Sequence, residues 1–140
     1  MGFVSAFGDH RGYLLDTHTF FWATKNPERL GNLARQIIEN PQARLYLSSI
    51  SAFEAANKQR LGKLDASYGF IVENYTHVAR QLGVEELPLT LAHTYLAGTM
   101  EWEHRDPFDR FLVAQASLEN LALISDDAQI KEHSWVDVIW

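Results

Sequence analysis

The 140-residue sequence predicts a single α/β domain built on a parallel sheet. Short apolar runs of strand length recur along the chain, and segments of helical length separate them. Strands and helices that alternate in this way build parallel sheets. Hydrophobic residues make up 46% of the chain, and a domain near this size buries about two-thirds of its unfolded surface, enough for a core without staples. Acids follow two of the apolar runs, Asp16 directly on one and Asp126-Asp127 on another after Ser125. In open α/β sheets, sites form beyond the carboxyl ends of the strands.

Residues 1–12 read as a loose leader ahead of a domain over 13–140. Residues 13–15 form a buried strand that ends at Asp16. Thr17–Lys25 carries Phe20, Phe21 and Trp22 and breaks at Asn26-Pro27. A helix over about 32–40 places Leu33, Ile37 and Ile38 on one face, with Pro41 as its stop. Residues 44–47 read as a second strand. Ser49 is placed to cap a helix that runs to about Leu61, where Gly62 ends it. Over 67–82, Ile71, Tyr75, Val78 and Leu82 recur at the spacing of one amphipathic helix. A weak strand, Val84–Leu87, precedes Pro88, and Thr90 caps a helix to about Ala97. Asp106-Pro107 opens another helix, with Phe108, Phe111, Leu112 and Gln115 along a stripe. Leu121–Ile124 is a buried strand, and 136–140 the last one.

Composition removes several chemistries. No cysteine is present, so disulfides, thiolate metal sites and cysteine nucleophiles are excluded, and a reducing, cytoplasmic setting is expected. No apolar run exceeds four residues, so no membrane span is expected. Twelve Lys and Arg against 18 Asp and Glu give a net charge of −6. Proteins that hold nucleic acid by general electrostatics are basic. Here nucleic acid is either not the partner or is reached through local basic groups and bound metal.

The acids carry the remaining signal. Asp16, Asp126 and Asp127 stand at strand ends, and Glu54 lies on the first turns of the helix after the second strand. Asp106 reads as a helix N-cap and Asp109 as the third residue of the same helix. Each acid alone has a plain reading as a cap or as a partner of the helix dipole. Together at one sheet edge they would share a proton or a cation. All-oxygen ligands suit Mg²⁺ or Mn²⁺, which neutralise charge on a phosphoryl oxygen. Asp16-Thr17-His18-Thr19 approaches a phosphoaspartyl phosphatase start, but His18 replaces its second acid. His10, His77, His93 and His133 read as surface residues or caps. The standard phosphate-loop, dinucleotide, serine-hydrolase and zinc-protease motifs are absent.

Four segments, Leu14-Leu15-Asp16-Thr17-His18, Ser51-x-x-Glu54, the stretch from His104 through Asp-Pro-Phe-Asp-Arg to Ala116, and Leu123-Ile124-Ser125-Asp126-Asp127, resemble PIN-domain proteins. More narrowly, they resemble VapC-type toxins of bacterial toxin–antitoxin pairs, over nearly all of 13–140. The resemblance implies a three-layer α/β/α fold with a parallel five-stranded sheet. It implies an Mg²⁺- or Mn²⁺-dependent endoribonuclease that hydrolyses RNA, of the tRNA or rRNA class, with metal-activated water. Asp16, Glu54, Asp109 and Asp127 become the metal-binding acids, with Asp126 an alternative fourth and Asp106 a supporting or capping acid. Thr17 and Ser125 would position water or a carboxylate. Arg110, His104, Arg105, Lys58 and Arg60 are candidates for phosphate contacts. A homodimer and a small antitoxin are the implied partners, for which Phe21, Trp22, Trp102 and Trp140 offer aromatic surface unless they form core. The other function classes are a catalytically silent PIN-like binding or dimerisation module and a small metal-dependent phosphatase.

Overall fold

The computed structural model describes residues 10–132 and 135–140. Residues 1–9 of the expected leader, and His133, lie outside the described residues. The strands are β1 (Gly12–Leu15), β2 (Leu45–Ser48), β3 (Val84–Leu87), β4 (Leu121–Ile124) and β5 (Val138–Ile139). The α-helices are α1 (Thr17–Lys25), α2 (Asn32–Glu39), α3 (Ser49–Arg60), α4 (Gly69–Glu73), α5 (Tyr75–Leu82), α6 (Leu91–Thr99), α7 (Pro107–Glu119) and α8 (Ala128–Lys131). Short 3₁₀ turns occupy Pro27–Arg29 and Ala66–Tyr68.

All strand pairs are parallel, in the order β3-β2-β1-β4-β5. The register aligns Leu15 with Leu47 on one side and with Ile124 on the other. The carboxyl ends of β1, β2 and β4 therefore finish at one edge, and β1 is central. Successive side chains of β1 point to opposite faces. Tyr13 and Leu15 join a core with Phe20, Phe21, Ile37, Ile71 and Val78 from α1, α2, α4 and α5. Leu14 joins the other core, with Leu112, Val113 and Ala116 of α7 and Ala97 of α6. Both faces of the sheet are covered, which is the expected three-layer α/β/α arrangement. Among the described residues, no helix is long and apolar enough to cross a membrane.

Local chemistry moves several boundaries. Residues 67–82 do not form one helix. Asn74 leaves helical geometry at φ −127°, ψ 37°, and its side-chain amide donates to the Phe70 carbonyl at 2.9 Å. A short polar side chain that bonds the local backbone competes with the helix, and here it separates α4 from α5. Helix α5 then ends at Gly83, whose φ of 84° is the left-handed conformation glycine adopts without penalty. Strand β2 runs through Ser48, and Ser48, not Ser49, caps α3 by accepting from the Ile50 N–H at 3.2 Å. The Ser49 hydroxyl instead accepts from the Leu89 N–H. Leu33 is 38% exposed, because α2 docks one position further round, on Ala34 and Ile37. Strand β5 is two residues long. Residues 10–12 are tied down: Arg11 donates its N–H to Asn120 at 2.8 Å, and Gly12 opens β1.

Candidate active site

A cleft of about 260 Å³ opens at the carboxyl edge of the sheet. Asp16, Glu54, Asp106, Asp109, Asp126 and Asp127 line it, with Thr17, His18, Trp22, Lys58 and Leu112. The four acids expected to act together therefore share one cleft, although Glu54 and Asp109 arrive on α3 and α7, and Asp16 and Asp127 just ahead of α1 and α8.

Three of the carboxylates cap helices. Asp16 caps α1, accepting from the Thr19 N–H at 2.8 Å. Asp106 caps α7 through Phe108, with Pro107 at the first helical position. Asp127 caps α8, accepting from the N–H groups of Gln129 and Ile130. Asp126 is exposed and pairs with Lys131 at 2.7 Å. Beneath Asp16 and Asp127 lies Ser125, fully buried; its hydroxyl bonds the Asp16 carboxylate and accepts from the Asp127 N–H at 3.1 Å.

Glu54 is held from both sides. Its Oε1 accepts from the Thr17 hydroxyl at 2.7 Å and its Oε2 from the Lys58 ammonium at 2.9 Å. Thr17 is also 2.7 Å from the Ser51 hydroxyl, which is 2.9 Å from the Tyr75 hydroxyl. Proton counting orients this chain. The carboxylate only accepts, so Thr17 donates to it, Ser51 donates to Thr17 and Tyr75 donates to Ser51. Burial pushes the Tyr75 phenol up, so it keeps its proton. Ser51 was legible as the residue one turn before Glu54 on the same helix face. Tyr75 carried no signal, because a tyrosine in an apolar stripe reads as core.

Asp109 meets His104, Nε2 to Oδ2, at 2.6 Å. His104, Asp106 and Asp109 offer ligand atoms within 4.8 Å of one another. Among the described residues, no three of Asp16, Glu54, Asp109 and Asp127 gather that closely. Burial pushes the Asp109 carboxyl up to about 6, helped by the Asp106 and Asp127 charges and opposed by His104. Burial also raises Asp16, against hydrogen bonds from Ser125 and Thr19 and the charge of His18. The cleft thus concentrates negative charge that is costly to desolvate, a condition a cation relieves.

The cationic candidates separate. Lys58 lines the cleft. His104 and Arg105 line an adjoining hollow with Trp102 and Asp106, and Arg105 is exposed. Arg60 is outside the cleft and bonds Asn57 at 2.6 Å. Arg110 is not available as expected: its guanidinium is spent on the backbone carbonyls of Ala97, Met100, Trp102 and His104. Phe21 is fully buried, and Trp22 packs edge-on against Trp140.

Comparison with known proteins follows the same lines. The profile of the PIN domain family matches residues 13–136. The chain is similar to Ribonuclease VapC22 of Mycobacterium tuberculosis (strain ATCC 25618 / H37Rv), with 28% identity over 123 residues, covering 86% of this chain and 90% of that protein. In structure it is similar to a toxin–antitoxin complex from Klebsiella pneumoniae, with a TM-score of 0.62 and 16% identity, covering 92% of this chain and 97% of the other. It is also similar to FitAcB from Neisseria gonorrhoeae, with a TM-score of 0.60 and 19% identity over 91% of this chain and 96% of that one. At those identities the structural likeness speaks for the fold.

Proposed function

The chain belongs to the PIN domain family, and on that premise we propose that it is a divalent-metal-dependent endoribonuclease, the toxin half of a toxin–antitoxin pair. One observation carries the reading: six carboxylates from four separate parts of the chain line one cleft at the carboxyl edge of the sheet. The donor set fits the cation, because hard oxygen ligands without thiolate suit Mg²⁺ or Mn²⁺. Asp16, Glu54, Asp109 and Asp127 are the residues that would hold it, with Asp106 and Asp126 in support. When bound, such a cation supplies positive charge for phosphoryl oxygens and lowers the pKa of coordinated water.

The chain's own groups prepare the site. Ser125 fixes Asp16 and Asp127 together. The Tyr75-Ser51-Thr17 chain and Lys58 hold the Glu54 carboxylate in one orientation. Lys58 is the ammonium group lining the cleft, and Arg105 is exposed at its margin, so these two serve a phosphate backbone. This resolves the conflict between a net charge of −6 and a polyanionic substrate: attraction is local, not global.

A protein antitoxin, a homodimer and a cytoplasmic setting belong to the same reading. VapC22 is named a ribonuclease, and the Klebsiella relative is a toxin–antitoxin complex. Leu91 and Tyr95 on α6 and Phe53 on α3 are 88%, 75% and 58% exposed, which suits surface covered by a second chain.

The test is cleavage of total tRNA and rRNA by the purified protein with Mg²⁺ or Mn²⁺, with EDTA, and beside Asp16→Asn and Asp109→Asn. Discrete cuts that need the metal and are slowed by orders of magnitude in both variants are expected. Asp16→Asn cutting as fast as wild type would remove the site assignment. Turnover of a phosphomonoester in preference to RNA would replace the nuclease with a phosphatase.

A further inference from the structure

The geometry points to Arg110 and His104 as a positioning unit that fixes the Asp109 carboxylate from behind. The inference rests on the proposed metal centre and deepens it. Arg110 follows Asp109 directly in sequence, yet its side chain goes elsewhere. Its Nε donates to the Ala97 carbonyl at 2.8 Å and its Nη2 to Met100 at 2.7 Å. Its Nη1 donates to Trp102 at 2.6 Å and to His104 at 3.1 Å. Four carbonyls thus converge on one guanidinium, which has five N–H donors in a rigid plane.

The segment it gathers packs Met100 and Trp102 on the core but belongs to no helix or strand. Helix α6 ends at Thr99, and residues 101–106 have no regular secondary structure before α7 begins. Irregular backbone lacks ladder partners for its carbonyls, so the groups that satisfy them decide its path. Here one side chain, anchored on the first turn of α7, satisfies the Trp102 and His104 carbonyls of that segment together with those of Ala97 and Met100 at the end of α6. The segment's last clamped residue is His104. Its ring lies against the Trp102 ring, with centroids 4.8 Å apart, and its side chain is 12% exposed.

His104 is thereby delivered to Asp109. Its Nε2 meets Oδ2 at 2.6 Å. Asp106, Asp16 and Asp127 each spend an oxygen on a helix cap, whereas among the described residues Asp109 takes its side-chain hydrogen bond from His104. Outer partners of this kind fix a ligating carboxylate and tune the metal. Arg110 acts one step further out, through the backbone that carries His104. A tighter role for His104 is available, because its ring nitrogen lies within 4.8 Å of ligand oxygens on Asp106 and Asp109. The Nε2 contact to Oδ2 favours the orienting role, since a proton held between them leaves that nitrogen no lone pair for a cation.

The test is Mn²⁺ binding, measured by titration calorimetry and electron paramagnetic resonance, on wild type, Arg110→Met, His104→Ala and the double variant, with circular dichroism to establish folding. Removing a positive charge beside an acidic cleft would by itself tighten cation binding. Positioning predicts the opposite sign: each single variant weakens Mn²⁺ binding by about 10-fold or more. It also predicts that the double variant binds no worse than His104→Ala, because Arg110 acts through His104. Single variants that bind as wild type, or losses that add in the double variant, overturn the inference. So does a directly coordinated nitrogen in the pulsed resonance spectrum of the wild-type Mn²⁺ complex that His104→Ala loses, which would make His104, and not the cleft residue His18, the ligand. Should Arg110→Met fail to fold, His104→Ala and the nitrogen spectrum still decide. Wild type that binds no Mn²⁺ defeats the metal centre itself; wild type that binds while the singles match it defeats only this inference.

Discussion

Replacing Asp109 with Asn should stabilise the protein at neutral pH while abolishing its proposed activity. The Asp109 carboxyl is pushed from 3.8 to about 6 by burial and by the neighbouring Asp106 and Asp127 charges. The folded protein therefore binds this proton more tightly than the unfolded chain does. Stability linked to the group is present below pH 3.8 and is lost as pH rises through about 6. About two pKa units correspond to a ceiling of about 3 kcal/mol. The side chain is 17% exposed, and solvent screening reduces the contribution to about 1–2 kcal/mol. Asn cannot ionise, yet its side-chain oxygen can still accept from His104. The variant should therefore gain about 3–6 °C in Tm over wild type at pH 7.5 and nothing at pH 4. Urea and thermal unfolding between pH 4 and pH 8, in EDTA, measure the gap. A gap that is the same at both ends, or a wild type that is the more stable at pH 7.5, would refute the reasoning. Adding Mn²⁺ should raise the wild type and not the variant.

Two further outcomes are expected. Thr17→Val keeps the side-chain shape but removes the donor to Glu54 and the acceptor for Ser51, which should cost about 1–3 kcal/mol. Urea unfolding would show it, and a loss no larger than that of an exposed threonine such as Thr76 would mean the hydroxyl chain does not hold Glu54. Gly31→Ala would bring a Cβ within 2.5 Å of the Trp140 carbonyl oxygen and 2.6 Å of its carbonyl carbon and ring. Backbone on one side cannot yield, so about 1–3 kcal/mol of destabilisation should appear as a lower Tm. An unchanged Tm would indicate that the last residue is not held against the start of α2.

The sheet was legible because period and length agree along its strands. Leu121–Ile124 is apolar throughout and buried throughout, as a central parallel strand must be. Val84–Leu87 read as weak, and it is an edge strand whose Glu85 and Glu86 are exposed. The break at Asn74 was hidden, since the apolar spacing runs across it and only the side-chain bond to Phe70 shows where the helix parts. Helix α8 was likewise not called out by any periodicity; four residues are too few for one. His93 combined two expectations imperfectly: it completes the capping box at Thr90 but is buried, with its Nε2 on Glu119. At the site, Asp16, Asp126 and Asp127 were readable because they stand just beyond strand ends, and Glu54 and Asp109 because they lie on the opening turns of helices. The role of Arg110 was not, because sequence distance from Asp109 says nothing of a side chain that turns back to carbonyls on the preceding segment.

The capping reading and the functional reading of the acids turn out to be compatible, and the reason is stoichiometric. A carboxylate has two oxygens, and a helix cap takes one. Asp16, Asp106 and Asp127 each place Oδ1 on backbone N–H groups, which fixes the side chain relative to the sheet edge. Asn caps a helix about as well as Asp, whereas Ala does not. Substitution to Asn at 16 or 127 should therefore remove the charge and leave the scaffold, and substitution to Ala should lose about 1 kcal/mol of cap besides. Asp109 has no cap to make; burial, helped by the Asp106 and Asp127 charges, raises its carboxyl to about 6, and burial raises the capped Asp16 as well. The fold thus holds three charges by giving each a structural task, and the fourth by a histidine on a clamped segment. Cation binding should accordingly be more sensitive to changes around Asp109 than to changes around the capped acids.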